Sequence, residues 1–182
     1  MERMTHTFVV VARYPLTNDA IADMGAVDIA YTEDPVSAYD AAVITTDAWA
    51  QVHTQARQSA TAMNLPETPL VKAFTTLFGG PFVAGVAPSI VSGDKRIPHA
   101  ALDQIGRELP ADAVALFVVA QAKRAHAIES LFSRSEGVAV RAVEPQTMNA
   151  EEFPSVLSEL MHEAGRAVLE GDKATRIAKL PD

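Results

Sequence analysis

The chain has 182 residues, 48% apolar and 21% charged, enough to bury a real core and unlike the composition of a disordered chain. Its formal net charge of −8, with basic residues scattered, argues against a general phosphate-backbone binder and discourages binding to anionic membranes. Cysteine is absent, which excludes disulfides, thiol nucleophiles and thiolate metal sites.

In chain order, Thr7–Tyr14 (TFVVVARY) is a β-branched and aromatic run closed by Pro15 and reads as a buried strand. The run is short and ends at Arg13, without the long apolar core and cleavage site of a signal peptide, so a cytoplasmic location is expected. Thr17 or Asn18 can cap a following helix, with Asp19 at its positive end. Ile21, Met24, Val27 and Tyr31 recur at helical spacing up to Asp34-Pro35. Gly25 weakens that helix by roughly 1 kcal/mol relative to Ala.

Ala41–Thr46 predicts the next strand, and Asp47-Ala48 a turn into a half-exposed hairpin strand over Trp49–Arg57. Strict alternation there puts Trp49, Gln51, His53, Gln55 and Arg57 on one side and Ala50, Val52, Thr54 and Ala56 on the other. Ser59–Thr68 reads as a connection.

Thr68–Val91 is the most apolar segment, and its cover is the central question. Leu70, Val71, Phe74, Leu77 and Phe78 make a stripe on a short helix stopped by Gly79-Gly80-Pro81, and Phe82–Val91 follows. Each half is about ten residues, whereas a membrane-spanning helix needs roughly 20 uninterrupted apolar residues, so soluble packing is the expectation.

Beyond it, Ala100–Glu108 predicts a helix ended by Pro110. Asp112–Gln121, containing VALFVVA, is the strongest strand signal. Lys123–Ser135 predicts a helix terminated by Gly137, and Val138–Val143 a last strand. A final helix runs from Asn149 to Gly171, with Phe153, Val156, Leu157, Leu160, Met161, Ala164 and Val168 on one face. This alternation implies a mixed α/β sheet with helices packed on one face. The expected divisions are residues 1–146 as the domain with an insert at 68–92, 147–171 as an appended helix and 172–182 as a tail.

Two stretches, YDAAVITTDAWAQVHT (Tyr39–Thr54) and IPHAALDQIGRELPADAVALFVVAQAKRAHAIESLF (Ile97–Phe132), carry a resemblance. With the apolar Gly-containing segment between them, the chain resembles the DUF1269 family of uncharacterised bacterial proteins. Asp40–Asp47 matches that family's first element and Ile105–Val119 its second, with Ala111-Asp112 where the family usually has Gly. The resemblance implies a ferredoxin-like α+β sandwich of unknown function and supplies no active site.

Candidate chemistry is sparse. Glu159-x-x-His162 is half of a helical carboxylate metal motif, but no second Glu-x-x-His exists, and a solvated helix face is the simpler reading. His126 and Glu129 predict a modest i,i+3 surface pair. His53 beside Trp49, together with Phe82, could line a ligand pocket. His99 follows Pro98 at a helix start with only Asp103 nearby. No Gly-x-Ser-x-Gly elbow occurs, and Gly79-Gly80 lacks the Lys-Ser/Thr of a phosphate loop, so no cofactor or metal is implied.

The leading expectation is a non-enzymatic protein that associates with itself or another protein. Phe74, Leu77, Phe78, Phe82, Leu157, Leu160 and Met161 are its candidate interface. Alternatives are a small-molecule-binding regulatory domain using Trp49, His53 and Phe82, an enzyme with His53 or His99 as base, and peripheral membrane attachment through Leu70–Val91.

Overall fold

In the computed structural model, residues 6–33, 36–49, 51–60, 70, 74, 105–148, 151–169 and 176–177 are described. The elements are β1 (His6–Tyr14), α1 (Thr17–Thr32), β2 (Val36–Thr46), β3 (Val52–Ala60), β4 (Val114–Ala122), α2 (Ala125–Glu129), β5 (Gly137–Val143), α3 (Glu152–Leu169) and β6 (Arg176–Ile177). The fold is mixed α+β. One sheet has the order β3-β2-β4-β1-β5-β6, with its first five strands antiparallel and β6 added parallel to β5.

The two central strands are those with the densest Val, Phe and Leu. β1 pairs with β4 from His6↔Ala122 to Tyr14↔Val114, and both are buried on both faces. A strand buried on both sides reads as a continuous apolar run, and these two do. Period-two geometry then sends alternate residues to two separate cores. Phe8, Val10, Ala12 and Tyr14 join Leu116, Val118, Val43 and Tyr39 under α1, with Ile128 and Phe132 from the α2 region. Val9, Val11, Phe117 and Val119 join Ala42 and Ile44 under α3, with Leu70, Phe74, Ile105 and Leu109.

Apolar cover therefore lies on both faces. The expectation of helices on one face holds for α1 and α2, whereas α3 covers the other. The appended helix is part of the main packing, since Phe153, Leu157, Leu160, Met161 and Ala164 are buried against the sheet. Each of the four larger side chains removed from water contributes about 2 kcal/mol of gross transfer free energy. Phe74 packs 6.1 Å ring to ring from Phe153, and the Leu70 N–H donates to the Pro145 carbonyl, so both residues are covered by the chain itself. Leu77, Phe78, Phe82 and His99 lie outside the described residues.

Helix and sheet approach closely at Gly137. A Cβ there would sit 2.4 Å from the Ala164 carbonyl oxygen and 3.0 Å from the Ala167 Cβ. Gly137 is thus the first residue of β5 and not a helix terminator. The helix expected over Lys123–Ser135 is only α2, because the following residues turn to reach α1. The Ser130 hydroxyl donates to the Ala127 carbonyl, the Ser135 hydroxyl donates to the Phe132 carbonyl, and Arg134 is carried to Asp23.

α1 starts at Thr17 with Leu16 at its N-cap and no side-chain cap bond, so neither Thr17 nor Asn18 caps it. Its buried face is Ala20, Asp23, Met24, Val27 and Ala30; this keeps Met24 and Val27 of the expected stripe, with Tyr31 packed at its edge, while Ile21 faces out. Asp23 is 0% exposed and accepts from the Tyr14 hydroxyl at 2.8 Å, the Arg134 N–H at 3.1 Å and Arg134 Nη1 at 3.0 Å. A buried carboxylate survives only when paired and hydrogen-bonded, and here three donors meet it. Burial, and then the Asp23 charge, push the Tyr14 phenol well above its ordinary value.

Candidate functional site

The sheet ends differently on its two sides. β6 is two residues long, whereas β3 is nine and outermost. Among the described residues nothing pairs with the outer edge of β3. A strand edge presents unpaired N–H and C=O groups, and proteins usually blunt it with shortness, Pro or charge. β3, VHTQARQSA, has no Pro, Lys, Asp or Glu; Arg57 is its one permanent charge and the bulge at Gln55 its one irregularity.

β3 is set by the hairpin turn before it. One carboxylate oxygen of Asp47 accepts from the Trp49 N–H at 2.9 Å and the Gln51 N–H at 3.0 Å, the side-chain mimicry of a turn that Asp favours. Its other oxygen meets His53 Nε2 at 3.0 Å. The His53 bond, then the Gln51 and Trp49 amides, hold the Asp47 carboxyl below its ordinary value. Across the strands, Gln55 Nε2 donates to Thr45 Oγ1 at 2.9 Å. The result is a polar cluster of Thr45, Asp47, His53 and Gln55 beside Trp49, which is 85% exposed at the tip.

Strict alternation along this strand does not hold. Val43 pairs with Ala56 and Ile44 with Thr54, so Gln55 is bulged out and the faces switch there. Ala56 packs on the α1 side while Val52 packs on the α3 side. The root of the hairpin is fixed to β4 by Thr46. Its hydroxyl donates to the Pro110 carbonyl and accepts from the Ala113 N–H at 2.9 Å, and its N–H donates to the Ala113 carbonyl. Between these contacts Asp112 has φ 56°, a left-handed conformation that favours Gly and, among other residues, Asp or Asn. This is the place where the family resemblance leads one to expect glycine.

Trp49 and His53 thus share a turn but stand on an open surface, and Phe82, the third residue of the expected pocket, lies outside the described residues. Of the expected interface, Phe74, Leu157, Leu160 and Met161 are closed inside the chain at 0–2% exposure and present no area to a partner. Leu77 and Phe78 lie outside the described residues.

Glu159 and His162 do share an outer face of α3, lining a shallow open depression with Glu108, Ser158, Glu163 and Arg166. Glu159 is committed to Arg141 of β5, which also meets Glu163 at 3.3 Å, and Ser158 donates to Glu108 at 2.8 Å. The depression is a laced helix surface, and among the described residues no three His, Asp or Glu side chains stand close enough to hold a metal ion. His126 lies 3.7 Å from Glu129, the expected surface pair. Burial lowers the Arg13 guanidinium pKa on the α3 side, against the opposing charge of Glu136.

Residues that sequence reasoning missed lie on the outside of α1, where Leu16, Ile21 and Ile29 are 62%, 41% and 60% exposed. The available signal was the run of small and apolar residues Ile21, Ala22, Gly25, Ala26 and Ile29, set between the carboxylates Asp19 and Asp28. No helix among the described residues is long and apolar enough to cross a membrane. No family model, curated protein or solved structure matches the chain in the comparisons made.

Proposed function

We propose that this is a ferredoxin-like interaction protein that associates with a second copy of itself, edge to edge through β3. The strand order β2-β4-β1-β5, in which β4 and β1 interleave two strand–helix–strand units, supports the ferredoxin-like reading, with β3 as an added outer strand. The observation that carries self-association is the nine-residue outermost strand, set against a two-residue strand at the opposite edge. Two antiparallel copies of β3 would extend the ladder with main-chain hydrogen bonds, the strand-addition mode of recognition. Charge favours this site over others: each chain carries −8, and β3 contributes no acidic group. Bringing identical surfaces together about a two-fold axis doubles every charge on them, so an interface free of carboxylates is the least repelled.

The test is mass measured by light scattering at micromolar concentration, expected to give a dimer. The double variant Thr54→Glu/Gln55→Glu places like charges opposite one another across the proposed ladder, where they oppose pairing. It is expected to be monomeric at low salt with an unchanged circular dichroism spectrum. A strictly monomeric parent protein, or a variant that dimerises as well as the parent, refutes the reading.

A further inference from the structure

The outward face of α1 is a second surface, on the sheet's broad side and not at its edge. At 100° per residue, Ile21, Gly25, Ile29 and Ala22 fall within one stripe about 100° wide, which Asn18 and Thr32 close at its two ends. Asp28 flanks it on one side, Asp19 and Glu33 on the other. From Thr17 to Glu33 there is no Lys, Arg or His. Ile21 and Ile29 are exposed, as is Leu16 just before the helix start.

Gly25 sits midway between the two isoleucines, and a Cβ built on it would meet nothing within 4 Å. Glycine inside a helix lowers its stability relative to alanine. No internal packing requires it here, in contrast to Gly137, where α3 leaves no room for a Cβ. The gap between Ile21 and Ile29 is a hole into which a side chain from outside could fit.

We infer that this face docks an amphipathic helix of another protein, with an apolar stripe that fills the Gly25 gap and Lys or Arg along both flanks. Charge selects this occupant. A second copy of α1 would set Asp19, Asp28 and Glu33 against their own equivalents, and an anionic lipid surface would be repelled likewise. A basic helix meets carboxylates on either side of the apolar seam. In the helix-in-groove mode the incoming helix supplies apolar anchors at i, i+3, i+4 and i+7, and one of these would enter the gap that Gly25 leaves between Ile21 and Ile29. α1 spans about 24 Å, room for a partner helix of about four turns. The inference does not rest on edge pairing, because the two surfaces share no residue.

A labelled 18-residue Leu/Lys amphipathic helical peptide serves as the probe, followed by fluorescence anisotropy on the full chain. Two controls are the same peptide with Glu for Lys, and a Lys-rich peptide of equal charge without the apolar stripe. The Leu/Lys peptide is expected to bind at least tenfold more tightly than either control. Binding is expected to fall at least tenfold in Ile21→Ser/Ile29→Ser and in Gly25→Leu. Gly25→Ala is expected to raise the thermal midpoint while weakening the peptide, a pairing that loss of folding cannot produce. Equal binding by the controls, or no loss in these variants, overturns the inference. So does a parent dimer that Ile21→Ser/Ile29→Ser converts to monomer, which makes a second copy the occupant. Flotation with phosphatidylcholine vesicles that the same variant abolishes would assign the face to lipid and overturn it equally.

Discussion

α1 and α3 cover opposite faces of one sheet, and they do it in opposite ways. α3 is amphipathic: Phe153, Leu157, Leu160 and Met161 face the sheet, and Glu159, His162 and Arg166 face out. α1 buries smaller residues and a carboxylate, and turns Ile21 and Ile29 outward. A helix held by one apolar face needs nothing further to be stable. A helix with apolar residues on its outer face as well, pinned from beneath by a polar clamp, retains a face for something else. The difference teaches that helix burial alone does not locate a functional surface, whereas the residue left exposed opposite the buried face does.

The comparison breaks first in the α3 core. Leu160 is 0% exposed, in the same buried cluster as Phe74, Phe153 and Phe117. Leu160→Ala is expected to cost about 3–4 kcal/mol in urea unfolding, the transfer loss plus an unfilled cavity. A cost below about 1 kcal/mol would mean that α3 does not carry this face.

The clamp under α1 comes next. Asp23→Ala strands the Tyr14 hydroxyl and the Arg134 N–H, and removes the partner of a half-exposed guanidinium. Truncating one member of a buried ion pair costs about 3–5 kcal/mol when both partners are enclosed. Because Arg134 reaches water, about 2–3 kcal/mol is expected. Amide exchange should speed up across α1 while α3 stays protected; equal loss in both would show that the two covers are not separable.

Smaller again is Gly137→Ala, which adds one methyl against the Ala164 carbonyl. Overpacking of this kind costs about 1–3 kcal/mol as the helix shifts away. The same substitution at Gly25 has open space and the opposite sign, so the pair of alanine variants sharpens the contrast between the two helices.

Much of this architecture is legible in the sequence, for physical reasons that can be named. β1 and β4 announce themselves because double-sided burial demands unbroken Val, Phe and Leu, and α3 because a single buried face imposes helical spacing. β2 starts at Val36, earlier than the AAVITT run, since pairing with β4 recruits residues whose own pattern is not apolar. The bulge at Gln55 leaves no trace in an alternating strand, because one extra residue changes the register and not the composition. Of the stripe Ile21, Met24, Val27 and Tyr31, Met24 and Val27 lie on the buried face of α1 and Tyr31 packs at its edge, whereas Ile21 turns outward; Asp23, which apolar spacing does not reveal, completes the buried face. Edge and interior strands were likewise indistinguishable until pairing was known, so β3 was visible as a strand but not as the outermost one.

The hairpin tip provides the smallest effect and a control, since it touches neither helix cover. The His53, Gln51 and Trp49 contacts lower the Asp47 pKa below the ordinary 3.8, and the carboxyl is in contact with solvent. A group whose folded pKa is depressed contributes stability that is present above the unfolded value and disappears as pH falls through the folded one. The turn should therefore hold at neutral pH and loosen only below about pH 4, where Asp47 takes up its proton. Trp49 is the only tryptophan, so its emission reports this tip alone. Its emission is expected to change only as the pH falls below the ordinary aspartate value of 3.8, while far-ultraviolet dichroism stays constant. In Asp47→Asn that step should be absent, because an amide has no proton to gain. A Trp49 transition near neutral pH, or one that persists in Asp47→Asn, would remove Asp47 as the group that orders the start of β3.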